Sequence, residues 1–328
     1  MKPNLLVVTD LPSWSLEGLS YGYTVHHAPD TAAREALLAE SGLENFRAFL
    51  TNGSVGMAGL PITDMTSLEL ICVSGAGYDQ VDLAAAQAQG IAVTNGPSTN
   101  DTTAADHAFA LILSVARGIT EVDRAIRRGD WAASNRPGGW DGLRAPRPLV
   151  TGKRLGIVGL GNIGQQIARR AVAGFDMSIA YHNRRPAPEI AYTYHSDVQN
   201  LAADCEFLLL TCPGGPETRH MVNDSVLKAL GPQGFLINAA RGSVVDTKAL
   251  TKALCDGTIA GAALDVFETE PYVPADLLAA PNLIVTPHLA GRAPEAIQAF
   301  MKLVRANLDA HFSGQPLITP ILQGGTTR

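Results

Sequence analysis

Between Leu155 and Gly164 the chain reads Leu-Gly-Ile-Val-Gly-Leu-Gly-Asn-Ile-Gly, an apolar run that passes into three glycines spaced GxGxxG. Helix-forming residues Gln165–Ala173 follow at once. Glycines alone are weak information in a chain with 32 of them, but strand, turn and helix here stand in the order a dinucleotide site needs. Gly159 permits a tight turn, Gly161 lets backbone approach a pyrophosphate, and Gly164 lets helix pack on strand. The helix amides of Asn162 and Ile163 then face the anion. Few architectures other than a parallel sheet with crossover helices can hold such a unit.

The rest of the chain alternates in the same way. Short apolar runs at Leu5–Val8, Ala48–Thr51, Leu70–Ser74 and Ile91–Thr94 are separated by helical patterns such as Thr31–Ser41 and Asp82–Gln89. A long amphipathic stretch runs from Asp101 to Arg128, with Ala108, Leu111, Ile112 and Val115 at helical spacing. A linker rich in breakers, Asp130 to Thr151, holds Trp131 and Trp140 and is expected to be an extended arm. Strands are then expected at Arg154–Val158, Ser178–His182, Phe207–Thr211, Phe235–Asn238, Gly261–Asp265 and Leu283–Thr286. The last helix, Glu295 to Phe312, is expected to fold back on the first domain, so that residues 1–100 and 292–328 form one domain and 101–291 the other.

Composition narrows the partners. With 25 Lys+Arg against 31 Asp+Glu the net charge is −6, and no long run of either sign occurs, so nucleic acid is an unlikely partner. No window approaches the ~18 uninterrupted apolar residues of a membrane span, and the N-terminal apolar stretch is too short for a signal peptide. Cys72, Cys205, Cys212 and Cys255 form no CxxC pair and are read as reduced, buried thiols of a cytoplasmic protein, with no metal site.

About 20 residues beyond the glycines, where an NAD site usually carries an acid for the ribose, the strand ends in Asn183-Arg184-Arg185. Guanidinium groups suit a phosphate through paired charge-assisted hydrogen bonds, which points to NADPH as the preferred coenzyme, with NADH left open. Ligands of open α/β sheets bind at the carboxyl ends of strands. Three such ends carry Ala239-Ala240-Arg241, Asp265 through Glu270, and Thr286-Pro287-His288, so an arginine, carboxylates and a histidine can converge beside the nicotinamide.

These motifs, with Gly75-Ala76-Gly77-Tyr78-Asp79 and Arg241-Gly242-Ser243-Val244-Val245-Asp246, resemble the D-2-hydroxyacid dehydrogenase family over nearly the whole chain. Tyr181 through Pro186 and Cys212-Pro213-Gly214-Gly215-Pro216 look most like its NADPH-linked glyoxylate/hydroxypyruvate reductase branch. The resemblance implies two Rossmann-like α/β domains with parallel sheets, a flavodoxin-like substrate domain and a dinucleotide-binding domain separated by a cleft, in a homodimer that the arm helps to build. It implies that Arg241 holds the carboxylate and carbonyl oxygen of a small 2-ketoacid, that His288 is the general acid, and that Glu270 orients His288. Backbone amides of Ser74, Gly75, Ala76 and Gly77 would grip the carboxylate. Asp265, Cys212 and Pro213 would line the nicotinamide pocket. Val55 and Met57, in the loop after a first-domain strand, either shape substrate choice or fill the core. Arg292, a departure from the small residues the family has after this histidine, either selects a second anionic or hydroxylated group or pairs in an interdomain salt bridge. Formate oxidation needs no proton transfer, so a Glu–His pair speaks against that chemistry. A coenzyme-sensing protein without turnover, of the kind seen in corepressors, is the alternative from another class. No regulatory domain is expected beyond Phe312.

Overall fold

The computed structural model describes residues 1–133 and 142–324. In chain order the first elements are β1 (Asn4–Val7), α1 (Ser13–Ser20), β2 (Thr24–His27), α2 (Thr31–Ser41), β3 (Ala48–Asn52), β4 (Leu70–Ser74), α3 (Leu83–Ala88) and β5 (Ala92–Thr94). Then come α4 (Asp101–Arg117), α5 (Ile119–Arg127), α6 (Asp130–Ala133), β6 (Arg154–Val158), α7 (Asn162–Phe175), β7 (Ser178–His182), β8 (Thr193–Tyr194), α8 (Val198–Ala203) and β9 (Phe207–Leu210). The series closes with α9 (Asp224–Leu230), β10 (Phe235–Asn238), α10 (Thr247–Cys255), β11 (Gly261–Leu264), α11 (Ala275–Leu278), β12 (Leu283–Val285), α12 (Pro294–Phe312) and β13 (Pro320–Leu322). The chain divides into two compact units, Met1–Asn100 with Arg292–Arg328, and Asp101–Gly291.

The first unit is a six-stranded sheet ordered β13-β5-β4-β3-β1-β2, parallel except for β13. Its strands read as unbroken apolar runs because both faces are covered. Leu6, Phe49, Ile71 and Val93 bury on one face, and Leu5, Val7, Leu50 and Cys72 on the other. Met301, Val304 and Leu308 bring α12 onto that second face, so the last helix does return to the first domain's sheet. The edge strands β2 and β13 have no sequence expectation behind them; Thr24–His27 is only half buried and lacks a continuous apolar run.

The second unit is a seven-stranded parallel sheet ordered β12-β11-β10-β9-β6-β7-β8. Its order reverses at β6, which pairs with β7 on one side and β9 on the other. Along β9, Phe207 and Leu209 face the α4–α7 layer, while Leu208 and Leu210 face the α8–α9–α10 layer. A reversal of strand order opens a crevice at the strands' carboxyl ends, next to the loop after β6.

Several details differ from the sequence expectations. The stretch from Asp101 to Arg128 is two helices, broken at Gly118 in the left-handed region at φ 59°. The arm contains one helical turn, α6, with Trp131 about half exposed, and Trp140 lies outside the described residues. Cys255, expected buried, is exposed at the end of α10, whereas the other three thiols are buried. Finally β11 and β12 stop one residue early, at Leu264 and Val285, because Asp265 and Thr286 turn their side chains to each other. Among the described residues no helix is long and apolar enough to cross a membrane.

Candidate active site

Each glycine of the loop after β6 meets a different physical demand. Gly159 sits at φ 95°, and a Cβ there would lie 2.5 Å from the Cys212 amide nitrogen. At Gly164 a Cβ would come within 2.6 Å of the Gly159 carbonyl oxygen, so the helix can lie on the loop only without a side chain. Gly161 is different: nothing in the protein lies within 4 Å of its missing Cβ. Packing therefore does not require glycine at 161, but a ligand that must touch the backbone does. The 14-residue helix α7 begins there with Asn162 and Ile163, and its first amides and dipole favour an anion. Thr211 donates to the Gly159 carbonyl at 2.8 Å and steadies the loop. These features fit the pyrophosphate of a dinucleotide.

At the exit of β7 the Asn183 carboxamide oxygen accepts the Leu160 amide at 2.7 Å, tying the glycine loop to the next strand end. The side-chain amide nitrogen is what this residue then has to offer a ligand. Arg184 and Arg185 follow on the surface; Arg184 lies 3.8 Å from Glu217, both mostly exposed, so that ion pair contributes little.

The three remaining strand ends form one polar constellation. Buried Asn238 shapes the turn after β10, accepting the Ala240 amide at 3.0 Å and donating to the Arg241 carbonyl at 3.0 Å. Arg241 lies over Gly214, whose added Cβ would meet its side chain at 2.8 Å, and donates to the Ala240 carbonyl at 2.8 Å. Backbone contact with the neighbouring loop is so close at Gly242 that a Cβ would overlap the Phe267 carbonyl carbon. Glu270 accepts the Phe267 amide at 2.9 Å through Oε1 and the His288 Nδ1–H at 2.8 Å through Oε2. Burial alone would raise the Glu270 pKa, but the bonds from His288 and the Phe267 amide, with Arg241 nearby, hold it below the ordinary glutamate value. It is a carboxylate at neutral pH, and it keeps Nδ1 of the imidazole protonated.

His288 occupies the left-handed region at φ 50°, a conformation that costs a non-glycine residue about 1–3 kcal/mol and persists only when its surroundings impose it. Asp265 imposes it. Its carbonyl accepts the His288 amide at 2.8 Å, and its carboxylate accepts the amides of Leu289 at 3.0 Å and Ala290 at 2.9 Å. Thr286 Oγ1 adds a fourth bond at 2.6 Å, and His107 Nε2 stands 3.0 Å from Thr286 Oγ1. Asp265, expected from the sequence beside the nicotinamide, is 1% exposed, and its carboxylate is hydrogen-bonded within the protein. Desolvation would raise its pKa, yet these hydrogen bonds hold it below the usual aspartate value. His107 is absent from the sequence-derived set. Its signal was a histidine in register with the buried positions Ala104 and Leu111 of α4.

Cys212 is 8% exposed, and burial pushes its thiol up to about 11, so it is a neutral wall beside Gly159 and not a nucleophile. Pro213 is exposed beside it, Ala239 is half buried and Ala240 is buried. Glu270 and His288 border a cavity of about 260 Å³ whose other walls are Phe267, Pro271, Val273, Val285, Thr286 and Pro287. In the first unit the loops after β3 and β4 lie together: a Cβ on Gly53 would meet the Gly77 carbonyl oxygen at 2.4 Å. Ser74 donates to the Thr51 carbonyl at 3.0 Å, Gly75 stands at φ 96°, and Asn95 donates to the Ala76 carbonyl at 2.8 Å. Val55 and Met57 pack partly buried against that unit's core, and Arg292 is exposed. Among the described residues no group of three or more His, Cys, Asp or Glu could hold a metal ion.

Residues 109–290 match the family described as D-isomer specific 2-hydroxyacid dehydrogenase, NAD binding domain. The chain belongs to that family. The dehydrogenase is 39% identical over 292 residues to a glyoxylate/hydroxypyruvate reductase A of Arabidopsis thaliana, covering 89% of this chain and 90% of the relative. It is 36% identical over 323 residues to the 2-ketogluconate reductase of Gluconobacter oxydans, covering 98% and 99%. Among solved structures, the NADPH-dependent glyoxylate/hydroxypyruvate reductase of Sinorhizobium meliloti, in complex with NADP and malonate, superposes with a TM-score of 0.86 at 37% identity, covering 98% of each chain. The dehydrogenase is thus an oxidoreductase with a dinucleotide coenzyme.

Proposed function

We propose that the dehydrogenase reduces a small 2-ketoacid, such as glyoxylate, hydroxypyruvate or a close relative, to the D-2-hydroxyacid, with NADPH as its preferred coenzyme. The observation that carries this reading is the Glu270–His288 pair at 2.8 Å, on strand ends of the same sheet as the glycine loop. When bound, the coenzyme supplies the hydride. Residues Gly159, Gly161, Asn162, Ile163 and Gly164 hold its pyrophosphate, and Cys212, Pro213, Ala239 and Ala240 its nicotinamide end. Arg241 binds the substrate carboxylate and polarises the ketone oxygen, stabilising negative charge as it develops there. His288 donates the proton on Nε2 to that oxygen, while Glu270 keeps the ring oriented and balances the imidazolium. Val55, the Ser74–Gly77 amides and Arg292 of the first unit are assigned to carboxylate binding and substrate selection.

Preference for NADPH is supported by the chemistry at the end of β7. An acid there would bind a ribose hydroxyl and repel a phosphate, whereas Asn183 has its oxygen occupied by Leu160 and is followed by two guanidinium groups. A homodimer in the cytoplasm is the proposed state of the enzyme. Ile119, Ile126, Trp131 and Leu149 are each about half exposed or more, an apolar set at the arm that a second subunit would cover.

Initial rates of NADPH and NADH oxidation against glyoxylate, hydroxypyruvate, phenylpyruvate and 2-ketogluconate test the reading. Turnover with NADPH on at least one is expected, and His288→Ala should abolish it while leaving NADPH affinity nearly intact. Tight coenzyme binding without turnover on any 2-ketoacid would favour the sensor alternative. Formate oxidation would contradict the proton-transfer role of the Glu270–His288 pair.

A further inference from the structure

The histidine of α4 is partly buried in the second unit, and its polar contacts with Thr286 and Asp265 lead to the loop that carries His288. We propose that His107 is a positioning residue for His288, acting through Thr286 and the Asp265 carboxylate. This rests on the reductase reading, in which His288 is the general acid.

The hydrogen atoms can be placed one by one. Thr286 has a single hydroxyl hydrogen, and its 2.6 Å bond to Asp265 Oδ1 uses it, since a carboxylate can only accept. The 3.0 Å contact between Thr286 Oγ1 and His107 must therefore be filled by an imidazole N–H, which assigns the proton to Nε2. The same nitrogen is 3.4 Å from Asp265 Oδ1, so one N–H faces both oxygens. Asp265 in turn holds the chain on both sides of His288: Thr286 before it, and the Leu289 and Ala290 amides after it. His288 sits between these anchors at φ 50°, where the backbone would not remain unaided. Glu270 fixes the ring, and the Asp265 group fixes the backbone beneath the ring. His107 completes that group from a helix whose neighbouring Ala105, Ala108, Leu111 and Ile112 are buried. Its imidazole is also partly buried, at 18% exposure, in keeping with an internal partner rather than a solvent contact.

The test compares His107→Leu, which keeps bulk and loses the donor, with His107→Gln, whose side-chain amide nitrogen can stand where Nε2 does. Thr286→Val removes the hydroxyl without changing shape. In the coenzyme-free protein, deuterium uptake by the peptide spanning residues 286–292 should become roughly tenfold faster in His107→Leu and Thr286→Val, as expected for one lost hydrogen bond, and stay near wild type in His107→Gln. On the best 2-ketoacid, kcat should fall on the order of tenfold to a hundredfold in the first two variants with the coenzyme Kd unchanged, because the acid is displaced and not removed. The solvent deuterium isotope effect on kcat should rise with it, and glutamine should restore both. Wild-type exchange in His107→Leu overturns the inference even if no substrate is found. Faster exchange without a change in kcat or isotope effect, in an enzyme that does turn over, overturns it as well. A wild-type enzyme that reduces no 2-ketoacid defeats the reductase reading instead, and is told apart by the exchange data.

Discussion

Gly161 ends the glycine loop and Gly164 lies three residues on, in the first turn of α7, yet alanine should have opposite effects at the two sites. At 164 the new methyl would lie 2.6 Å from the Gly159 carbonyl oxygen and 3.2 Å from an Ile157 methyl, in a rigid turn of backbone. Overpacking of that kind costs about 1–3 kcal/mol, and in a unit of this size each kcal/mol lowers Tm by roughly 2–4 °C. At 161 the methyl meets nothing within 4 Å, and the backbone there, φ −85°, suits any residue. The coenzyme-free protein should therefore keep its Tm to within about 2–4 °C, since Gly and Ala at a helix N-cap differ by less than about 1 kcal/mol. The same methyl stands where a pyrophosphate must reach the amides at the start of α7. Loss of one charge-assisted hydrogen bond, about 1.5–3 kcal/mol, should weaken NADPH roughly tenfold to a hundredfold. Thermal denaturation of the coenzyme-free variants and fluorescence titration with NADPH separate the effects. If Gly161→Ala bound NADPH like wild type, or lost Tm as Gly164→Ala does, the assignment of the open space to the coenzyme would be refuted.

Asn183→Asp should bring a carboxylate to the ribose and turn preference toward NADH, and the joint change of Arg184 and Arg185 to Ala should erode the NADPH advantage by roughly tenfold or more; an unchanged ratio of kcat/KM for the two coenzymes would remove the phosphate clamp. Asp265 and Glu270 have folded pKa values below their ordinary ones, so their stabilisation is complete above the unfolded values and is lost as pH falls through the folded ones. Tm should accordingly be nearly flat from neutral pH down to about pH 5 and fall below it, and Asp265→Asn should flatten that fall. Leu308, fully buried between α12 and the first unit's sheet, should cost about 2–5 kcal/mol when changed to Ala, read as a lower urea midpoint with an unchanged slope.

The glycine loop, the apolar strands and the three strand ends that carry Arg241, Glu270 and His288 were legible because each rests on a local rule. Parallel strands covered on both faces must be apolar throughout, a phosphate-binding turn must lack side chains, and ligands gather where such strands end. The edge strands β2 and β13 escaped because they are partly exposed and carry no such pattern. Residue identity alone could place Asp265 beside the coenzyme, since a carboxylate after a strand suits either a ligand or a loop. Only the folded chain showed that it holds the loop, by bringing three hydrogen bonds to one buried side chain and a fourth to its own carbonyl. The same is true of His107, 181 positions from His288 in sequence and linked to its loop through Thr286. Sequence determined the kind of sheet, the glycine loop and the candidate reacting groups, because those follow from periodicity and side-chain chemistry. Tertiary structure decided which groups hold the acid in place, because that depends on distances between segments that no local pattern records.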